Sequence, residues 1–298
     1  NTNYWPYGAV KVYNKRSYSD GIDSITVSHG EIHNSSYRGV TVYNNYGDED
    51  YGQVYVSMGN LWVHDNYYNG FEITENRWTD IALDSLNVHN NTSYGMYFGY
   101  NYDDTKMTVD SARIADNNSY GLSFHRLENG ATIDVENADI HDNSLEVYVG
   151  YFDVGSGSAI SVTNSKIYDD DGNWVVYAGY CCYTEMAGVS LDFRQNDWGE
   201  TLTAEMNAGT NPQNINLIYD YYENTTYYPL VNYAGYAGAT GSTGYSGEIE
   251  FQDANGNSIN DIPLGSTTLH FALYDADIVH GTPSVTVVSD SDPSGETL

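Results

Sequence analysis

The chain has 298 residues, and its 10 Lys and Arg stand against 41 Asp and Glu for a formal net charge of −31. Such an excess of negative charge argues against nucleic acid or an anionic membrane as partner, and it suits a medium whose salt or divalent cations screen self-repulsion. Hydrophobic residues reach an ordinary 40%, enough for a large core, yet no run of about 18 or more is apolar, so no membrane-spanning helix is expected.

From residue 32 onward a short phrase returns about every 26 residues: an aliphatic anchor, often a histidine, then an Asp/Asn pair, and usually a glycine seven places after the anchor. The anchors are Ile32, Val63, Val88, Ile114, Ile140, Ile167 and Phe193, spaced by 31, 25, 26, 26, 27 and 26 residues. A fixed period of this length signals stacked repeats. Alternating apolar pairs precede the anchors (Ile25/Val27, Val54/Val56, Ile81/Leu83, Met107/Val109, Ile133/Val135, Ile160/Val162) and others follow the glycines (Val40/Val42, Phe71/Ile73, Met96/Phe98, Leu122/Phe124). Residues two apart share one face of a strand, so each repeat supplies short strands facing one core, and no segment carries a sustained helical period.

Coiling each repeat into one rung lets every strand pair with its counterpart in the next, about 4.8 Å along the axis. The prediction is an all-β chain whose main part is a right-handed, single-stranded parallel β-helix of about seven rungs. Asn66, Asn91, Asn117, Asn143 and Asn196 are expected to form a turn column, with Ser35 and Asp170 as variants, and Gly39, Gly70, Gly95 and Gly121 to serve a corner that needs a permissive backbone.

These features resemble the right-handed parallel β-helix proteins of the pectate-lyase-like and NosD-like superfamily. The run Gln195 to Glu200, QNDWGE, is similar to the phrase that closes the coil in many secreted members, and residues 215–220 and 227–230 resemble the usual closing segment. The resemblance covers about residues 20–233 and implies a β-helix domain over 1–233 with a cap over about 196–233. It also implies secretion, but no one activity, because the fold hosts lyases, hydrolases, epimerases, adhesins and inert scaffolds. With neither an initiator Met nor a signal peptide, the sequence is expected to be a mature or excised segment.

Residues 234–247, rich in Gly, Ala, Ser, Thr and Tyr, read as a linker. Beyond it, residues 248–251, 268–273 and 284–288 read as strands with an Asn255-Gly256 turn, resembling the opening of a bacterial or archaeal Ig-like surface domain. About 50 residues fall short of the ~100 of a full sandwich. The Ig-like β-sandwich over 248–298 is therefore expected to be partial, completed by further chain or by strands from a neighbour.

The candidate chemistry lies on outward positions. His33, His64, His89 and His141 follow the anchors, and imidazoles about 5 Å apart raise the question of a shared metal, against a plain surface stack interrupted by Ala115 and Tyr168. Acidic clusters at residues 48–50, Asp103-Asp104, Asp169-Asp170-Asp171, Asp275/Asp277 and Asp290/Asp292 read as solvated turns or calcium loops. Calcium is assigned to Asp169, Asp170, Asp171, Asp275 and Asp277. A lyase needs a base beside its acids, yet Lys106, Arg113, Arg126, Lys166 and Arg194 fall in no common column with them, and the pectin-hydrolase motifs are absent apart from the fragment Ser28-His29-Gly30.

Tyrosine supplies 31 residues, and stacking predicts two exposed ladders: Tyr43, Tyr97, Tyr148 and Tyr177 on a strand, and Tyr37, Tyr68, Tyr94 and Tyr120 at a corner. The adjacent Cys181 and Cys182 leave open a vicinal disulfide or two free thiols. Asn34, Asn90, Asn91, Asn117 and Asn224 match the glycosylation acceptor pattern, and Asn224 is preferred because Asn91 and Asn117 belong to the turn column. Together these readings give an extracellular or cell-surface protein with a structural or adhesive role. It would self-associate into a filament, sheath or surface layer through Tyr43, Tyr94, Tyr97, Tyr120, Tyr148, Tyr177 and the C-terminal strands. The alternative is a polysaccharide-active enzyme or a carbohydrate-binding module.

Overall fold

The computed structural model describes residues 8–13, 23–43, 45–47, 53–153, 157–169, 173–179, 189–209 and 211–239, and the backbone of 248–252, 270–274, 286–289 and 292–297. Through residue 239 it is a parallel β-solenoid of about 6 turns. A first sheet stacks Gly8–Val12, Arg38–Tyr43, Phe71–Thr74, Met96–Tyr102, Tyr120–Leu127, Leu145–Phe152, Val176–Tyr177 and Ile218–Tyr219, each parallel to the next. A second sheet opens with three 11-residue strands, Asp23–His33, Val54–His64 and Thr79–His89. It continues as split pairs, from Lys106–Asp110 with Arg113–Ala115 to Ala159–Thr163 with Lys166–Tyr168, and closes with Ser190–Asp192 and Leu230–Asn232.

The repeating apolar pairs build the core. Ile32, Val63, Val88, Ile114, Ile140 and Ile167 lie directly over one another. On the first sheet Val42, Ile73, Phe98, Phe124 and Val149 do the same, none more than 1% exposed. Each such side chain stabilises the coil by about 1.5–3 kcal/mol relative to exposure.

Two corner columns hold left-handed backbone. His29, Asn60, Ser85, Ser111, Asn137, Asn164 and Gln195, with φ from 51° to 63°, turn the chain within the second sheet. Asn34, Asp65, Asn90, Asp116 and Asp142, with φ from 52° to 57°, turn it out of that sheet. Asn and Asp tolerate this region better than other side-chain-bearing residues, which explains the first member of each Asp/Asn pair.

The second member stacks inward. The amide of Asn66 donates to Asn91 Oδ1, Asn91 to Asn117 Oδ1, and Asn117 to Asn143 Oδ1, each at 2.9 Å. Ser35 N opens this ladder by donating to Asn66 Oδ1 at 3.0 Å, and Glu146 closes it by accepting from Asn143 N and Nδ2. The glycine column serves the ladder through space rather than through φ. A Cβ on Gly70 would lie 2.8 Å from Asn91 Nδ2 and 2.7 Å from the Gly95 carbonyl, and Gly39 and Gly95 are crowded in the same way.

The seventh repeat departs from its expected register. Ser161 pairs with Asp192 and Lys166 bridges to Asp197, so Phe193 lies over Val162, and Trp198, not Phe193, takes the anchor position after Ile167. Asn196 consequently leaves the ladder. It fills the other corner, where its Oδ1 accepts from Ser165 N at 2.8 Å and its Nδ2 donates to the carbonyls of Val162 and Phe193. The 26-residue step from Ile167 to Phe193 was a coincidence of composition, because the structural step is the 31 residues from Val162 to Phe193.

A helix that the periodicity did not predict, Gly199–Asn207, lies beyond Trp198 with Leu202 and Met206 buried on one side. Only two apolar positions commit it to the core, too few for a helical period to show in the sequence. Packing also continues into the expected linker. Tyr236 is buried with its hydroxyl donating to Asn207 Oδ1 at 2.9 Å, and Ala237 N donates to the Asn196 carbonyl at 3.0 Å. Farther on, Glu248–Gln252 pairs antiparallel with His270–Tyr274, and Thr286–Ser289 with Asp292–Thr297. Among the described residues no helix is long and apolar enough to cross a membrane.

Candidate functional site

The outer face of the first sheet carries the aromatic residues, in a register that differs from the expected one. The column is Thr41, Glu72, Tyr97, Ser123, Tyr148, Tyr177, Tyr219. Tyr43 does not belong to it, because it pairs with Thr74, two positions farther along the strand. The corner ladder is likewise two sets. Tyr37 and Tyr68 stack at 5.4 Å, while Tyr94 and Tyr120 stand one position closer to their glycines.

Those sets merge around one small residue. Ser123 leaves a gap in the column, and the Tyr120 ring leans over it, 5.1 Å from Tyr94 on one side and 5.1 Å from Tyr148 on the other. Tyr94 stacks on Tyr97 at 5.3 Å, Tyr148 on Tyr177 at 6.0 Å, and Tyr177 on Tyr219 at 4.5 Å. The result is one continuous file whose members are half-buried and turn their faces to each other, leaving mainly edges and hydroxyls outward.

The file ends at a cleft of about 360 Å³, lined by Arg38, Tyr43, Tyr68, Asn69, Glu72, Thr74, Glu75, Tyr94, Tyr97 and His125. Its floor is an ion pair from adjacent rungs, Arg38 Nε to Glu72 Oε2, with side chains 13% and 8% exposed. Asn69 Nδ2 donates to the same carboxylate at 2.9 Å, and the Arg38 guanidinium lies 4.4 Å from the Tyr37 ring centre and 5.3 Å from that of Tyr68. Burial raises the Glu72 carboxyl above the usual range, and Arg38 and Asn69 oppose that rise.

The rim titrates abnormally for the same physical reasons. Burial, then Glu75 and its hydrogen bond, push the Tyr43 phenol up to about 12, and burial followed by Glu72 raises Tyr97. His125 sits between Tyr97 and Tyr100, at 5.7 and 5.4 Å. Burial, then Arg126, lowers the His125 imidazole, and its buried Nδ1 has no hydrogen-bond partner among the described residues. The cleft thus joins a planar carboxylate–guanidinium floor to phenol walls, a combination suited to hydroxyl-rich ligands.

The histidines form a separate stack on the second sheet. His33 lies over His64 at 5.3 Å and 6°, and His64 over His89 at 4.8 Å and 3°. In parallel rings the nitrogen lone pairs diverge along parallel planes instead of converging on one ion. The nitrogens of His64 are moreover engaged, by Asp65 at 2.7 Å and Glu31 at 2.9 Å; although burial opposes it, these bonds raise its pKa. His141 stacks on Tyr168 at 5.2 Å and binds Asp142 at 2.7 Å. Among the described residues no group of three or more His, Cys, Asp or Glu converges to hold a metal.

Of the proposed calcium ligands, Asp169 is buried and accepts from Asn173 N at 3.0 Å, while Asp170, Asp171, Asp275 and Asp277 lie outside the described residues. Cys181 and Cys182 lie outside them as well. Asn91 and Asn117 are buried in the ladder, whereas the Asn224 side chain is partly exposed and accepts from Thr226 N and Tyr227 N at 3.2 Å.

Sequence reasoning passed over Arg38, Glu72, Glu75 and His125, and also a second ladder in which Asn45 donates to Asn76 at 2.8 Å and Asn76 to Asn101 at 2.9 Å. The second ladder had a signal, since its spacings of 31 and 25 repeat those of the first anchors. The cleft had a partial one: its walls Tyr43, Tyr68, Tyr94 and Tyr97 fall among the expected ladder positions, whereas Arg38, Glu72, Glu75 and His125 are exceptions to the repeat. Comparisons with family models, with curated proteins and with solved structures gave no match.

Proposed function

We propose that this protein is an extracellular, glycan-binding β-solenoid with an adhesive role, holding a saccharide in the Arg38–Glu72 cleft and along the tyrosine file. The observation that carries the reading is the cleft itself. It is of small-molecule size, walled by four tyrosines and floored by a buried ion pair whose remaining lone pairs and N–H groups match sugar hydroxyls. From Tyr97 to Tyr219 the file spans four rung steps, about 19 Å at ~4.8 Å per step, the reach of a short linear oligosaccharide. Kinship with the pectate-lyase-like and NosD-like β-helix proteins, and an Ig-like character for the C-terminal strands, belong to the same proposal.

Affinity electrophoresis of the purified chain through a panel of embedded polysaccharides tests it. Retardation by at least one glycan, lost in Tyr97→Ala, is the expected result. Unchanged migration across the panel defeats the reading.

A second reading, a self-assembling structural subunit, is favoured by aromatic side chains outside the cleft. Tyr55, Trp62 and Tyr67 are 39%, 57% and 68% exposed. Sedimentation that grows with concentration and falls back in Trp62→Ser would support it, and a monomer at all concentrations would remove it.

A further inference from the structure

We propose that Tyr177 and Tyr219 form a site of oxidative cross-linking, at which a peroxidase-type one-electron oxidant joins the two rings and fastens the closing segment to the coil; this goes beyond the glycan reading and does not depend on it. The two residues pair directly on adjacent parallel strands, Val176–Tyr177 and Ile218–Tyr219, the last two of the first sheet. In-register parallel neighbours present their side chains in the same sense, so the ring carbons flanking each hydroxyl face their counterparts. The ring centres are 4.5 Å apart and the planes 1° from parallel, whereas the other contacts of the tyrosine file are 5.1 Å or longer and at least 12° from parallel. Gly179 seats both rings: a Cβ there would lie 2.6 Å from two carbons of the Tyr219 ring and 3.0 Å from one of Tyr177. Hydrogen bonding also links the Tyr219 hydroxyl to those of Tyr177 and Tyr228.

A phenol that gives up one electron and its O–H proton becomes a radical whose unpaired electron is shared with the ring carbons beside the oxygen. Two such radicals join through one of these carbons each; the hydrogens displaced from the two carbons return to the oxygens, and both phenols are restored. The balance is two tyrosines and one hydrogen peroxide giving one dityrosine and two waters, with the electrons passing through the peroxidase. Trp174, exposed and edge-on to Tyr219 at 5.3 Å, offers the oxidant an electron donor in contact with the pair. Tyr37 and Tyr68 are also nearly parallel, at 5.4 Å and 5°, but the Arg38 guanidinium lies against both, and a cation on a ring holds its electrons more tightly.

The test is brief treatment of dilute protein with a peroxidase and hydrogen peroxide, then digestion under reducing conditions and tandem mass spectrometry of the peptides. The expected product is an intrachain bond between Tyr177 and Tyr219, lighter than the separate peptides by two hydrogens. Tyr177→Phe and Tyr219→Phe keep the stacked rings but lack the hydroxyl that forms the radical. Each should lose most of the dityrosine fluorescence, whereas Tyr148→Phe should keep it, with folding of all three checked by circular dichroism before oxidation. Because the bond closes a long loop, it should raise the melting temperature of the oxidised protein by about 5–10 °C over that of oxidised Tyr219→Phe. Bonds spread over the file, bonds formed mainly between molecules, the same bond in equal yield from chain oxidised in urea, or no bond at all overturn the inference. A mapped bond with unchanged melting overturns the fastening role.

Discussion

Two buried glutamates interrupt two different columns, and their fates differ. Glu72 replaces a tyrosine in the outer file and meets Arg38 from the rung before it, so a charged pair stands at the floor of an open cleft. Glu146 ends the inner asparagine ladder, fully buried, and meets only amide groups and the like charges of Asp169 and Asp142. Its carboxyl is pushed up to about 8, above all by burial, so at neutral pH it is mostly protonated and behaves as one more neutral polar rung. A carboxyl in a solenoid column therefore becomes a site where a cation accompanies it and solvent reaches it, and a structural terminator where neither does.

Removing the cation should break that contrast most severely. Arg38→Met strands Glu72 without its partner, and loss of a buried pair's partner costs about 3–5 kcal/mol. The double variant Arg38→Met/Glu72→Leu should recover most of the stability in urea unfolding but none of the ligand binding. Recovery of both would show that the pair is structural only.

Acidity should act next, and mainly on Glu146. Its folded pKa of about 8 exceeds the ordinary 4.5, so the stability linked to its proton is fully present below about 4.5 and is lost as pH rises through 8. Asp220, raised from 3.8 to about 7 by burial, adds a fall of the same sign that ends earlier. The share of Glu146 in the loss between pH 5 and 8 should be on the order of 3–4 kcal/mol. Glu146→Gln should flatten its share of the slope, leaving the part that ends near pH 7; an unaltered slope would show that Glu146 is already ionised.

The ladder ending at Glu146 was legible in the sequence because identity repeats at every rung: Asn66, Asn91, Asn117 and Asn143 share a spacing and a neighbour. Asn91→Ala should cost about 2–3 kcal/mol, since it leaves the Asn66 amide and the Asn117 carbonyl without their stacking partners. The tyrosine walls of the cleft were legible in the same way, but the polar residues between them were not, for the complementary reason. Arg38, Glu72, Glu75 and His125 come from three rungs, and each differs from what its column repeats, so only the folded register brings them together. Phe193 shows the other way a repeat misleads. It kept the 26-residue spacing while an insertion moved the true register onto Trp198, and spacing alone does not distinguish an anchor from an apolar residue five places away.

The smallest expected effect separates packing from recognition within the tyrosine file. The Tyr120 ring fills the gap over Ser123 and bridges Tyr94 to Tyr148, yet it does not line the cleft. Tyr120→Leu keeps most of the buried apolar area and removes two ring contacts, together worth about 0.5–1.5 kcal/mol, which should lower the melting temperature by a few degrees. Affinity for a ligand confined to the cleft should stay within twofold of wild type, whereas Tyr97→Leu should abolish it. A Tyr120→Leu protein that melts normally but loses binding would mean that the ligand runs along the file beyond Tyr97, and the recognition surface would then be the file and not the cleft at its end.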